Sequence, residues 1–590
     1  MAAFGQVSNA SVSGSYYFRH VLLVTDASGA TATTSAGTIT FNGTGGFTCV
    51  AQQLVGSAAP VALSGCSGTY NVKSGGVMTL TNPDRAGATL NARLGVGAIV
   101  GASTEAGPTV YDLFLAIPVA ATGATTAKLT GAYYVSSLEY PGSITNVRNT
   151  NFRITANGSG LFTESAVFGQ ARNLNNRLLT QTLPPITYSV ASDSTGTVTF
   201  PLASGNNEVT QLISGTKNIY VSADGNYFIG GSMTPGSHGM VVGVKAATSS
   251  SWSGFYYSAS LRLDVDRLRY TSTTSAVNAT ASGAVFGRRT RQSDGLFDTS
   301  ALITHSLGAD GSGAFTSTTG RVNVSASGNA FSTSGVDTLD SFTYELSFGV
   351  RMPTMTGAGV FIDPQRVLNG ASFALGYPVS PGGFVTLFGS GLGPQTAAVA
   401  KTLPFPTTLG GVTVTVNGKL APLYLVSSGQ ISLVVPYSTT GNTATIVVTN
   451  GTASNTVEVP LALTAPGIFS LTQNGIGDGS ILHANYSVVN DANPASVGEV
   501  VQVFLSGMGA VTPSVIEGAA APTATLTNVV SPVAVTIGGK PAEVSFNGLA
   551  PGLAGLYQLN VKVPSVPQGV NSLAVQTVEG FTDMVNIRVR

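Results

Sequence analysis

Side chains able to do chemistry are few in this chain and stand far apart. The four histidines, His20, His238, His305 and His483, fall in different stretches, and no two have the i, i+4 spacing that sets a pair of imidazoles on one helical face for zinc. "GSGLG" at 389–393 is glycine-rich, but it lacks the lysine and the following helix that a phosphate cradle requires. No G-x-S-x-G elbow is set between a strand and a helix. "LDVD" (263–266) puts Asp264 and Asp266 on one face of a strand, half of a glycosidase-like pair if a partner acid lies opposite. Arg262, Arg267 and Arg269 surround them, and cross-strand ion pairing is the simpler account. "VSADGNYF" (221–228) flanks Gly225 with Asp224 and Asn226, as the tip of a calcium loop would. His305 occupies the slot held by Tyr70 and Tyr188 in the repeats described below, which makes it a strand side chain.

Arginine is the one concentrated charge. "RLDVDRLRY" (262–270) and "FGRRTRQ" (286–292) bring six arginines into thirty residues. A hairpin carrying Arg288, Arg289 and Arg291 has the bidentate donors to grip an acidic or cell-surface polysaccharide or a neighbouring subunit. The plainer alternative is a solvated face balanced by Asp294 and Asp298. Elsewhere charge is scarce: 9% of residues are charged, against about 25% in ordinary soluble domains, and 26 basic side chains balance 26 acidic ones. Such a surface lacks the repulsion that keeps copies apart and the basic face that nucleic acid demands, so self-association is favoured and nucleic-acid binding is excluded. No stretch approaches the roughly 18 apolar residues of a membrane helix; "VYDLFLAIPVAA" is too short and holds Asp112 and Pro118. The first residues show no basic or apolar leader, so no secretion signal is visible: either it has been removed or the protein stays inside the cell. Cys49 and Cys66 sit at a spacing that two paired strands bring within bridging distance. A disulfide there implies an oxidising compartment and contributes about 3 kcal/mol in the chain-entropy account; two buried thiols are the alternative.

The elements that must carry these residues are β-strands. Short alternating runs such as "GTITFNGTGGFTCV" and "GVTVTVNG", cut by Gly, Asn, Asp and Ser clusters, are the pattern of hairpins. "SGSYYF" (13–18), "TGAYYV" (130–135) and "SGFYYS" (253–258) each open a module, and Gly-rich turns recur behind them at matching offsets. The repeat decides the calcium question. "VSADGNYF" returns as "VSASGNAF" (324–331), where Ser327 replaces Asp224, so what persists is the glycine of a tight turn. The paired tyrosines at 16–17, 133–134 and 256–257 are expected to send one ring into a core and leave one at the surface, a sugar-stacking row being the alternative. Roughly eight strands per module predict closed barrels or sandwiches of about 115 residues.

From about residue 358 the texture changes. "PGGFVTLFGSGLGP" (381–394) is echoed by "VGEVVQVFLSGMGA" (497–510), and "LGGVTVTVNGKLAPLYLVSSGQISLVVP" (409–436) by "SPVAVTIGGKPAEVSFNGLAPGLAGLYQLNVKVP" (531–564). These tandem copies read as immunoglobulin-like sandwiches. With "APGIFSL" (465–471) they resemble a C-terminal region found on many uncharacterised secreted proteins of soil acidobacteria. That region looks like a pair of the immunoglobulin-like domains shared by transcription factors, plexins and bacterial surface proteins. The resemblance runs from about "VLNGASF" (367–373) to Arg590, and the N-terminal modules resemble the Tyr-Gly hairpin repeats that accompany such regions. It implies a location outside the cell and supplies no catalytic residues.

The expectation is therefore an all-β chain: barrel or sandwich modules at 1–126, 127–247 and 248–357, then immunoglobulin-like sandwiches at 358–470 and 471–590. No catalytic, metal or cofactor site is expected. The function expected is structural or adhesive at the cell exterior, with head-to-tail self-assembly into a filament or coat. "MVNIRVR" (584–590), or else the N-terminal extension, is a candidate to add a strand to a neighbour. The alternative is an array of carbohydrate-binding modules.

Overall fold

The computed structural model describes the chain apart from residues 1–6, 27–28, 105–108, 121–124, 165, 175–177, 203, 208, 249–251, 267–268, 281–282, 293–294, 316–319 and 336–342, and apart from the side chains of residues 26 and 285–302. Among the described residues the helical elements are 3-10 turns of three residues, and all else regular is strand. The fold class is that expected: three β modules followed by two sandwiches.

The first module is a closed eight-stranded barrel. Its opening strand, Ser13–Asp26, pairs antiparallel with Gly29–Asn42 on one side and with the last strand, Val110–Pro118, on the other, while Gly29–Asn42 also pairs with Gly46–Val55. The third module closes in the same way, with Gly254–Asp264 between Arg269–Ala279 and Thr343–Arg351. In the second, Thr130–Pro141 lies between Arg148–Asn157 and Ser237–Lys245, and the Leu161↔Thr187 bridge helps complete the ring. Ladder pairing closes the first and third rings, whereas the second is joined by isolated bridges and keeps end strands at Leu179–Thr182 and Thr187–Val190.

Period-two alternation explains the inside of each barrel and also its outside. On Ser13–Asp26, Tyr16 and Phe18 join Ile39, Phe41, Leu80 and Phe114 in the first barrel's interior. Their neighbours Tyr17, Val21 and Leu23 project outward, yet they too are buried. They meet Leu138, Met240 and Val242 of the second barrel and Leu261, Phe348 and Val350 of the third in one core shared by all three. The modules are therefore not beads on a string. Strands facing this core are covered on both faces, which is why Val110–Pro118 is buried along nearly its whole length.

The second tyrosine of each pair locks the arrangement. Tyr17 of the first barrel donates to the Asp193 carbonyl of the second at 3.0 Å, and Tyr134 of the second donates to the Asp310 carboxylate of the third. Tyr257 of the third completes the cycle by donating to the Gly75 carbonyl of the first at 2.6 Å. The expected surface ring is thus corrected: both tyrosines of every pair are buried, because the outward face of each strand is an inter-barrel face. Arg19 adds a buried cross-barrel tie, donating to the Gly239 and Ser232 carbonyls at 2.8 and 2.7 Å.

The first sandwich packs the sheet containing Phe361–Asn369, Phe384–Ser390 and Gln430–Val434 against that containing Val412–Val416 and Thr443–Asn450. Its core holds Val385, Leu387, Val414, Ile431 and Ile446. Leu368 and Leu375 carry it into the shared barrel core. The second sandwich repeats the plan with Val500–Ser506 and Tyr557–Lys562 facing Val533–Ile537, Gly569–Thr577 and Phe581–Val589. The C-terminal strand is not a free donor, contrary to expectation. It pairs with Gly569–Thr577 along one edge, and the other edge is occupied by the third barrel at Asp298↔Phe581 and by backbone bonds from Gly479 to Asn586 and from Ala495 to Arg588. No helix among the described residues is long and apolar enough to cross a membrane.

Candidate functional site

Residues singled out by type resolve first. Asp224 spends both carboxylate oxygens on its own turn, accepting from the Ser222 hydroxyl at 2.7 Å, from the Asn226 backbone at 3.0 Å and from the Asn226 side chain at 2.7 Å. Gly225 turns the corner at φ 68°, and its carbonyl accepts from Tyr133. In the third barrel Gly328 sits at φ 66° and its carbonyl accepts from Tyr256, with Ser327 in the aspartate's place. The loop is scaffold: the turn needs positive φ and a capping oxygen, and Ser or Asp supplies the latter.

The histidines lie in separate environments. His20 is buried in the first barrel between Asp84 (2.7 Å) and Asp112 (3.0 Å). Burial alone would push its pKa down, but the two carboxylates outweigh it and draw the imidazole up to about 9. With both ring nitrogens bound to acids, the imidazolium is a fixed cation with no free lone pair for base chemistry. His238 joins barrels, reaching the Thr34 hydroxyl at 3.1 Å and the Gly56 carbonyl at 2.8 Å. His483 bridges Glu499 and the Asn493 carbonyl within the second sandwich. His305 stands in the slot of Tyr70 and Tyr188, as the repeat predicts. Those tyrosines donate to the carbonyls of Val12 and Leu129, the residues just ahead of their modules' first strands; in the third barrel that residue is Trp252, whose larger ring fills the space beside His305 at 5.1 Å.

Asp264 and Asp266 do not share a strand face: the strand ends at Asp264, which is buried, and Asp266 is exposed in the turn beyond it. The arginine hairpin forms, with Gly283–Gln292 between Arg269–Ala279 and Gly295–Leu307, which sets Arg289 opposite Asp298 in the ladder. The side chains of Arg288, Arg289, Arg291 and Asp298 lie outside the described residues, as does all of Asp294. Cys49 and Cys66 form a disulfide with Cα atoms 5.3 Å apart, closing the first barrel near its Gly46–Val55 strand.

The concave site is one that residue types alone did not reveal. A 630 Å³ cleft opens where the two sandwiches meet. The first sandwich lines it with Phe384, residues 400–403, Phe405 and Tyr424; the second sandwich adds Phe469, next to its Gly467–Ile468 strand, and Leu553–Leu556. Tyr424 meets Phe384 and Phe405 edge-on or tilted at 5.6 and 5.5 Å, so three aromatic rings form a continuous wall. Two close approaches hold the walls in place. Phe405 donates its backbone N–H to the Gly518 carbonyl at 2.9 Å. Gly555 sits where a Cβ would lie 2.7 Å from Val434, so only glycine lets the second sandwich come this near. Lys401 is the one charged side chain in the lining, and it is exposed at the rim with Thr402. The signal was present in "AKTLPF" (400–405), "APLYLV" (421–426) and "PGLAGL" (551–556), but those runs are separated in the chain and only the tandem packing makes them neighbours.

No family model matches the chain, and no curated protein does. Among solved structures it is similar to the SGBP-B protein of a Bacteroides ovatus mixed-linkage glucan utilization locus, in complex with a mixed-linkage heptasaccharide, at 13% identity and TM-score 0.17 over 36% of this chain and 44% of that one. It is also similar to a gamma-CGTase from alkalophilic Bacillus clarkii, at 13% identity and TM-score 0.13 over 54% of this chain and 40% of that one. The chain spans less than half of either, and likenesses of this size carry no argument for it.

Proposed function

We propose that the chain is a non-catalytic structural or adhesive protein of the cell exterior that associates end to end with copies of itself into a filament or surface coat. The observation that carries this is the shared core: three barrels and the sandwich docked on them bury one common hydrophobic cluster, which joins them into a single unit. A single unit transmits force and presents fixed surfaces, and repeated heterologous contacts between such units generate open fibres. The weakly charged surface offers little repulsion, and the second sandwich exposes Tyr486, Ile516, Val530, Val570 and Val578. The polar clusters that resemble sites serve the fold: His20 with its two acids, the buried pair of Lys217 with Glu139, and Asp224 in its turn. The disulfide supports an oxidising compartment, and the resemblance of the region from about residue 367 onward to immunoglobulin-like regions of secreted proteins points the same way.

Size-exclusion chromatography with light scattering, followed by negative-stain microscopy, tests the reading. The expected result is concentration-dependent growth into linear particles. A protein that stays monomeric at high concentration contradicts it, and glycan-array binding by that monomer puts the carbohydrate-binding alternative in its place.

A further inference from the structure

We propose that the cleft between the sandwiches binds a single-chain amphiphile of the fatty-acid class, with the alkyl chain along Phe384, Phe405, Tyr424 and Leu553 and the carboxylate at Lys401. Three features of the cleft select this ligand. Its 630 Å³ lies within the ordinary range for sites that enclose a small molecule. Its side-chain hydrogen-bonding groups are confined to Lys401, Thr402 and Tyr424, and the rest of the wall is aromatic or aliphatic. Its one charge is a cation at the mouth, with no acid in the lining to neutralise it.

Hydrogen-bonding capacity decides between a lipid tail and a sugar. A pyranose carries hydroxyls around its whole rim, and each one buried without a partner loses its hydration uncompensated. An alkyl chain has nothing to satisfy, and each buried methylene strengthens binding about fourfold. An acid head group then meets the ammonium of Lys401 in partly exposed surroundings, a modest attraction that orients the chain more than it holds it. The aromatic wall belongs to one sandwich and Leu553 to the other, so ligand uptake also pins the junction between them.

Isothermal titration calorimetry on the full chain, with ligands kept below their micelle concentrations, tests this. Dodecanoate is expected to bind one saturable site, and decanoate, two methylenes shorter, about fifteenfold more weakly. Lys401→Met should weaken dodecanoate about threefold while leaving dodecyltrimethylammonium, with the same tail and opposite charge, no weaker. Leu553→Asp and Tyr424→Asp should each abolish uptake. These two side chains are 48% and 39% exposed, so the substitutions leave the fold intact, which a thermal melt verifies. The proposal is overturned by no saturable uptake, by uptake indifferent to chain length or to Leu553→Asp, or by oligosaccharide binding that Tyr424→Asp removes. Self-assembly that Leu553→Asp dissolves without any dodecanoate binding in the parent overturns it too, by assigning the cleft to a neighbouring copy.

Discussion

His20 and Asp583 are two buried side chains that tie stability to pH, and they do so through opposite charge states. His20 exists as an imidazolium clamped by Asp84 and Asp112, and Asp84 is correspondingly held below its usual range by that same cation despite its burial. A histidine whose folded pKa is raised from 6.5 to about 9 contributes stability that is complete below pH 6.5 and lost as pH climbs through 9. The size of the effect is on the order of 3 kcal/mol. Urea denaturation between pH 7.5 and 9.5 should show that decline in the parent and a shallower one in His20→Gln, which is less stable than the parent at neutral pH. Asp583, wholly buried in the second sandwich, is pushed up to about 7 by burial, against the backbone N–H groups of Ile468 and Met584 that favour its charged form. A raised carboxyl is most favourable to folding while protonated, so its contribution is complete below about pH 4 and disappears as pH rises to 7. Asp583→Asn keeps an oxygen to accept from Ile468 and stays neutral at every pH. It should stabilise the protein at pH 8, on the order of 1 kcal/mol or more, and make the pH dependence between 4 and 7 differ from the parent's by Asp583's share; a variant less stable than the parent at pH 8 refutes this.

Hairpins were legible in the residues because turn chemistry and strand alternation are local. Gly225 and Gly328 both sit at positive φ as the repeated loop requires, and the cysteine spacing anticipates the bridge that forms. Partner faces were not legible, because alternation reports that a side chain is apolar and says nothing about what covers it. Tyr17, Tyr134 and Tyr257 carry no local mark that distinguishes a surface ring from one bonded to the next barrel. The clue was the run "VYDLFLAIP", apolar on both faces of a strand but for Asp112; it is too short for a membrane and marks a strand covered on both sides. The aromatic cleft was hidden for the same reason, since its walls come from segments about 150 residues apart. The disulfide offers an element-scale prediction. It links residues 17 apart, so loss of the bridge in a Cys49→Ser, Cys66→Ser double variant should lower stability by about 3 kcal/mol. Hydrogen exchange should place the new opening first in Gly46–Val55 and Ser67–Val72 of the first barrel.

At the scale of the molecule, what matters is whether the three barrels are separate folding units. Independent modules would each bury their own interior and unfold in separate steps, as repeats with small interfaces do. Here the outward faces of the opening and closing strands are apolar and meet in a core that no single barrel can form. Removing one barrel therefore exposes the faces of the other two. Phe348 shows the consequence: it belongs to the third barrel, projects into the shared core and packs against Tyr227 of the second at 5.4 Å. Phe331, by contrast, lies inside the third barrel against Trp252 at 4.8 Å. Truncating either to alanine should cost about 3–5 kcal/mol, yet the distribution should differ. Phe348→Ala should reduce hydrogen-exchange protection in the closing strands of all three barrels together, Val110–Pro118 and Ser237–Lys245 included. Phe331→Ala should reduce it chiefly in the third barrel's own strands. If Phe348→Ala leaves the first two barrels as protected as before, the shared core is a contact surface between independent domains, and the single unit on which end-to-end assembly depends is lost with it.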